Sequence, residues 1–401
     1  MTTNKTGNIV ESLVEILKVK KNLILQGAPG TGKTYVAKKI AENLIGKNYE
    51  ISNQFKIVQF HPSYTYEDFV RGIVVTTDND GNLLYTPTNK ILADFAKIAN
   101  DNYVDSQKEP LPVNKLNWAR KQWMEYKQML SNQLQKGEDV KIGDYILNDV
   151  NPSNIILGSY NISDAMVVES YIAREIDKNG TYSPKYFSRA TNVTVNEFKK
   201  YLDENNVIYE APKGALQDKI ERKNFILIID EINRANLPVV LGELVYAIEY
   251  RGSKIETMYN VEGDNNIILP PNLYIIGTMN TADRSVGHID YAIRRRFAFE
   301  YIEPRCLDKG DFNDGSSFET DLFNKVQNLF QHTSWLSKEF DKRDVAIGHS
   351  YFITNKKNNV TKQLRIKYEI RPLLEEYVKD GILKNEHDGK TINQILDDIF
   401  K

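Results

Sequence analysis

The stretch GAPGTGKT (27–34) sets glycines, a lysine and a hydroxyl at the spacing G-x-x-x-x-G-K-[ST], between an apolar strand pattern and a helical one. That combination suits a phosphate group. Gly27, Gly30 and Gly32 let the backbone turn tightly and aim its N–H groups at phosphate oxygens, with Ala28, Pro29 and Thr31 completing the loop. The helix that follows adds the favourable dipole of its N-terminus. Lys33 is placed to contact the β- and γ-phosphates and Thr34 to ligate Mg²⁺, with Tyr35 counted among the nucleotide-contacting residues.

Two further strand ends supply the chemistry that such a loop needs. FILIIDEIN (225–233) closes an apolar run with two acids. Asp230 would hold Mg²⁺ through water, and Glu231 would orient and deprotonate an attacking water. IIGTMNTADRS (275–285) runs another apolar strand into Asn280, followed by Asp283 and Arg284. Ligands of open α/β sheets sit at the carboxyl ends of the strands, so an amide there can position the water or touch the γ-phosphate. Asp283 and Arg284 are placed to brace the loop or to reach a neighbouring subunit. In AIRRRF (292–297), three consecutive arginines repel one another at the end of a helix. A γ-phosphate across a subunit interface would relieve that repulsion, which singles out Arg295 and Arg296 as arginine fingers acting in trans.

The elements that must position these groups alternate in type. Helical spacing over Val10–Val19 precedes NLILQG, FKIVQF (55–60) reads as a strand, and IVVTTDNDGNLLYT reads as a hairpin turning at Asp80-Gly81. ILADFAKIAN (91–100) reads as a helix. FILIID, the helix LPVVLGELVYAIE, the strand NLYIIGTMN, a helix through HIDYAIRRRF and the strand FAFEYIE complete an α/β fold with a parallel sheet covered on both faces. From Lys33 to Asp230 the chain runs far beyond the roughly 30 residues of a βαβ unit, which places a small α+β domain at 101–213. Its expected pieces are a helix through NWARKQWMEYKQMLSNQL, strands at GDYIL, SNIILGSY and AMVVESYIA, and a helix around NEFKKYLDEN. After Pro304 the pattern is helical, so the expected division is 1–100 with 214–304, 101–213, and 305–401.

Composition narrows the class. The 401 residues are 41% hydrophobic and 26% charged, with a formal net charge of -2, so the chain as a whole is no basic nucleic-acid module. Cys306 is the single cysteine, which excludes an internal disulfide, and five histidines beside it leave little material for zinc. No apolar run is long enough for a membrane span, and the start is amphipathic rather than leader-like. The expected location is cytoplasmic.

Taken together, the loop, DEIN and MNTADRS followed by IDYAIRRRF resemble the AAA+ motor of the McrB family, the GTP-hydrolysing subunits of McrBC modification-dependent restriction systems. FHPSYTYEDFVRGI (60–73), IGHSYF (347–352) and IRPLLEEY (370–377) add to the resemblance, which covers about 1–100 and 214–385. It implies an AAA+ P-loop NTPase with a helical lid, a homo-oligomeric and usually hexameric ring, Mg²⁺, and a McrC-type endonuclease partner, with DNA met directly or through that partner. It implies GTP as fuel. ATP stays open because no N-K-x-D box is present. In that picture Asn280 senses the nucleotide, and Asp283 and Arg284 help form the subunit contact. Arg371 is either a second sensor acting in cis or a surface ion-pair residue, and His349 is a structural residue. Family members carry an N-terminal reader of modified DNA, whereas here NLILQG already begins at Asn22. Target reading would then fall to the insertion, to a partner or to a further segment. Trp118, Trp123 and Tyr126 of the insertion are either core or a base-stacking platform. Two other readings remain: a MoxR-like ATPase that remodels proteins, and a nucleotide-gated scaffold without turnover.

Overall fold

The structure, a computed structural model, describes residues 5–77, 83–107, 113–176, 188–209, 220–261, 263–283, 289–308, 312, 316–331, 334–355 and 357–401. Arg284 and the turn expected at Asp80-Gly81 lie outside the described residues. The chain divides into two compact units, Met1–Val104 with Arg222–Lys401, and Asp105–Glu221.

The larger unit is organised by five parallel strands: β1 (Asn22–Gly27), β2 (Phe55–Gln59), β9 (Phe225–Asp230), β12 (Leu273–Asn280) and β13 (Ala298–Tyr301). Their order is β13-β1-β12-β9-β2. Every residue of β1 is buried, as a central strand covered on both faces requires. Alternate residues serve opposite faces. Leu23, Leu25, Ile226, Ile228 and Ile276 pack with Leu13, Leu17, Val36 and Ile40 from the helices Lys5–Lys20 and Lys33–Ile45. Ile24, Leu227, Ile229 and Ile275 face Leu92, Phe95 and Leu244 on the other side. The helix read at 91–100 extends over Ile91–Gln107.

Two antiparallel hairpins stand off this sheet, β3 (Arg71–Thr77) with β4 (Leu83–Asn89), and β10 (Lys254–Val261) with β11 (Asp264–Ile268). Buried Arg71 joins them, donating to Asn89 Oδ1, to Thr257 Oγ1 and to the carbonyls of Tyr259, Asp264 and Asn266. The helix read through LPVVLGELVYAIE is broken into Leu237–Leu241 and Leu244–Glu249, because Gly242 between them has φ 51° and ψ −128°. The lid region packs Phe323, Val326, Phe330, Ile347, Phe352, Leu374 and Leu396 into a core of its own. Among the described residues no helix is long and apolar enough to cross a membrane.

In the smaller unit a four-stranded sheet of β5 (Lys141–Ile142), β6 (Tyr145–Val150), β7 (Asn154–Leu157) and β8 (Tyr160–Ser163) accompanies the helices Val113–Gln135, Asp164–Ile176 and Arg189–Glu204. AMVVESYIA, expected as a strand, lies in the second of these helices. Its β-branched residues suit a strand, but Val167, Val168, Tyr171 and Ile172 are buried at helical spacing. Of the two readings offered for the aromatics, Trp123 and Tyr126 take the core one. Trp123 is 0% exposed and Tyr126 6%, and the Trp123 indole meets Phe198 edge-on at 5.3 Å. Trp123 Nε1 donates to Asp164 Oδ1 (2.8 Å), which also receives Lys127 Nζ at 2.8 Å. Neither ring offers a face to a base. Trp123→Ala should therefore lower unfolding free energy by about 3–5 kcal/mol in a denaturant titration, the range for emptying a buried aromatic site.

Candidate functional site

Adjacent parallel strands deliver the polar groups to one edge. Gly27 of β1 pairs with Asn280 of β12, and Gly277 of β12 pairs with Ile229 of β9. Asp230 Oδ1 accepts from Thr34 Oγ1 (2.7 Å) and from Thr278 Oγ1 (2.5 Å). A hydroxyl and a carboxylate in contact form a hard oxygen pair of the kind Mg²⁺ takes. Among the described residues no group of three or more His, Cys, Asp or Glu could hold a metal. The pair therefore fits a Mg²⁺ that keeps waters and shares phosphate oxygens rather than an all-protein cage.

Lys33 opens the helix Lys33–Ile45 and is 7% exposed. Its Nζ donates to the carbonyls of Gly27 (3.0 Å) and Ala28 (2.9 Å). Burial lowers its pKa to about 8, against the opposing pull of Glu231 and Asp230. Tyr35 is 55% exposed, with the Lys39 ammonium over its ring.

Glu231 adopts φ 53°, a conformation that costs of order 1–3 kcal/mol for a non-glycine residue and is characteristic of functional sites. Its N–H donates to Thr278 Oγ1 at 3.2 Å. Its Oε1 accepts from Asn280 Nδ2, and its Oε2 lies 3.4 Å from Arg234 Nε. The same guanidinium reaches Asp283 Oδ2 at 3.5 Å. Burial raises the Glu231 carboxyl above its ordinary value, while Arg234 and Lys33 pull it back. A raised carboxyl is the better proton acceptor near neutral pH.

The structure thus brings Lys33, Thr34, Asp230, Glu231, Asn280 and Asp283 together. Three participants escaped the sequence reading. Thr278 sits two residues before Asn280, so strand period 2 already placed it on the same face. Arg234 follows DEIN in a 3-10 turn, Ile232–Arg234, that returns it to Glu231. Buried Asn233 donates to the Asn280 carbonyl at 3.4 Å.

One assignment needs correction, and Arg371 takes one of its two alternatives. Arg296 is not presented as a finger: its side chain is 7% exposed, and it donates to Glu249 Oε2 (2.8 Å) and to the Ala292 carbonyl (2.6 Å). The helix here is a single turn, Tyr291–Arg294, and Arg296 folds back against it. Arg295 is 67% exposed, 3.8 Å from the same carboxylate, and Arg294 stacks on Phe299. Arg371 is the first residue of the helix Arg371–Lys379. It continues a helical run from Lys362 through a π turn at Ile366–Ile370. Its guanidinium is held by Glu375 (2.9 Å) and Asp397 (2.9 Å), the surface ion-pair alternative.

A phosphate loop, an acid pair and an amide-tipped strand on neighbouring strands of a parallel sheet define a nucleoside-triphosphate-hydrolysing P-loop module. The AAA domain of the dynein-related subfamily matches residues 22–100 and 166–297, and the McrB alpha-helical lid domain matches 335–384. The chain belongs to the McrB-family AAA+ proteins. It is similar to the type IV methyl-directed restriction enzyme EcoKMcrB subunit of Escherichia coli (strain K12), at 28% identity over 410 residues, 97% of this chain and 60% of that protein. It is also similar to the type II restriction enzyme BsuMI component YdiS of Bacillus subtilis (strain 168), at 40% identity over 150 residues, 31% of this chain and 43% of that one. The chain therefore spans 43–60% of the length of these relatives.

The buried lysine sets a pH dependence. Phosphate binds the protonated ammonium, so affinity is full below pH about 8 and declines as pH rises through that value. Nucleotide Kd measured by fluorescence titration should rise by up to roughly tenfold per pH unit above the Lys33 pKa, following the loss of one proton. In Lys33→Arg, whose guanidinium does not titrate there, the Kd should be weaker and the profile flat.

Proposed function

We propose that this chain is the GTP-hydrolysing motor subunit of a restriction system, working in the cytoplasm as part of phage defence. In this reading it assembles into a ring, hexameric as in the resemblance, with nucleotide held between neighbours, and it activates or drives a McrC-type endonuclease on modified DNA. Residues 1–100 with 214–304 serve as the nucleotide-binding domain, 101–213 as an inserted domain and 305–401 as the lid. The names of the two relatives, both restriction-enzyme components, support the setting.

The observation that carries hydrolysis is the tether on Glu231. A chain that only bound nucleotide would need no partly buried acid held at one oxygen by Asn280 and faced at the other by Arg234. In the proposed reaction Lys33 binds the terminal phosphates and Glu231 takes a proton from the attacking water. Asn280 fixes the carboxylate's direction, and Arg234 ties it to Asp283. Mg²⁺, held by Thr34 and through water by Asp230, would neutralise charge on the β- and γ-phosphates. Arg295, exposed at its surface, is the residue that a neighbouring subunit would receive as its finger.

Glu231→Gln should retain nucleotide binding and lose turnover by about 10²–10⁴-fold, the usual contribution of a positioned base. Survival of partner activation without turnover would favour the nucleotide-gated scaffold instead. Steady-state hydrolysis of GTP and ATP side by side should favour GTP. A preference for ATP would move the chain to the MoxR-like remodelling reading.

A further inference from the structure

A phosphate loop turns its N–H groups inward, so its carbonyls point away from the ligand and each needs a donor. The carbonyls from Gly27 to Gly30 each have one. Gly27 O receives Lys33 Nζ (3.0 Å) and Thr281 N (3.2 Å). Ala28 O receives Thr31 Oγ1 (3.0 Å) and Lys33 Nζ (2.9 Å). The donors of the next two come from more than 300 residues away in sequence: Gly348 N donates to Pro29 O (2.9 Å), and Ser350 N donates to Gly30 O (3.0 Å).

Two glycines permit this backbone-on-backbone seat. A Cβ on Gly348 would overlap the carbonyl of Gly30 and the nitrogen of Thr31. Gly30, at φ 77°, faces Tyr351 and Ser350 so closely that a Cβ there would lie 2.5 Å from Tyr351 Cε2 and 2.7 Å from Ser350 Oγ. The segment carrying these donors is rooted in the lid. Val345, Ala346, Ile347 and Phe352 are buried in its core, and Gln327 Nε2 donates to the Ile347 carbonyl at 2.8 Å. A second root runs to the sheet: Thr281 Oγ1, just past the sensor strand, donates to the Asp344 carbonyl (2.8 Å), and Tyr301 OH at the end of β13 donates to the Asp344 carboxylate (3.0 Å).

We infer that Gly348–Tyr351 is a splint for the phosphate loop, a positioning element through which lid docking sets nucleotide affinity. The segment meets the loop at Pro29 and Gly30 through its backbone, and lays its His349 ring against Gly32. It holds the carbonyls of Pro29 and Gly30 outward, and so keeps the N–H groups of Gly30–Lys33 converged. Thermodynamic reciprocity then requires that nucleotide binding tighten the docking of this lid segment by the same factor. Through Thr281 and Asp344, a shift at Asn280 reaches the same segment. The inference rests on the reading of 27–34 as a nucleotide site.

The test compares the 401-residue protein with its Gly348→Ala variant. Nucleotide Kd should weaken between roughly 5- and 150-fold, the span of ordinary coupling between sites, and the loss in steady-state hydrolysis should fall on KM more than on kcat. Amide hydrogen exchange of the unsubstituted protein supplies a measurement that no folding defect can spoil. Peptides covering 347–352 should exchange more slowly when GTP or a non-hydrolysable analogue is added. Wild-type affinity in a folded Gly348→Ala protein, or exchange in 347–352 indifferent to bound nucleotide, overturns the splint while leaving the nucleotide site intact. Failure of the unsubstituted protein to bind nucleotide overturns the reading of the site, and the splint with it.

Discussion

Asp230 stands where three strand ends meet, and the hydrogen bonds it accepts from Thr34 and Thr278 tie the phosphate loop, the acid pair and the sensor strand into one object. Those bonds require β1, β12 and β9 to be adjacent, parallel and in one register. A slip of one residue would turn Thr278 and Asn280 to the other face. The apolar load on both faces of the sheet prevents it, since Ile24 and Leu25 belong to different cores. Packing far below the site is what holds its polar atoms within hydrogen-bond reach.

The same burial sets the charges at odds with their surroundings. Desolvation pushes Lys33 down and Glu231 up, each toward its neutral form, and each is drawn back by the other across the site. Arg234, 40% exposed, supplies a further cation to the acid. Lys33 and Glu231 are both placed for a ligand that brings several negative charges and a water to be activated. Mg²⁺ and phosphate would add charge partners to groups that Asn280 and Arg234 meet at Glu231 and that two loop carbonyls meet at Lys33.

The arginines divide by what the tertiary structure does with them. Arg71 is consumed in fastening two hairpins, Arg296 in closing a one-turn helix on Glu249, and Arg371 in joining Glu375 to Asp397. Arg234 and Arg295 remain at positions from which chemistry can be done. Residue type is the same throughout. The neighbouring carboxylate, and the exposure it allows, decide the role. The aromatic residues of the smaller unit follow the same rule: Trp123 and Tyr126 close a core because Phe198 and Asp164 are there to receive them.

The sequence by itself determined the parallel sheet, the phosphate loop, the acid pair and the amide-tipped strand. Each is a local pattern: a solid apolar run, a fixed glycine spacing, a polar residue at a strand end. Thr278 was legible in the same way, two residues from Asn280. The break at Gly242, the helix over Asp164–Ile176 and the burial of Arg296 were not, because a β-branched run or a string of arginines fits more than one local structure until its neighbours arrive. Only the tertiary structure decided that the backbone of Gly348 and Ser350 would meet Pro29 and Gly30. No periodicity records such a contact, since it depends on two glycines far apart in the chain leaving room for backbone to lie against backbone.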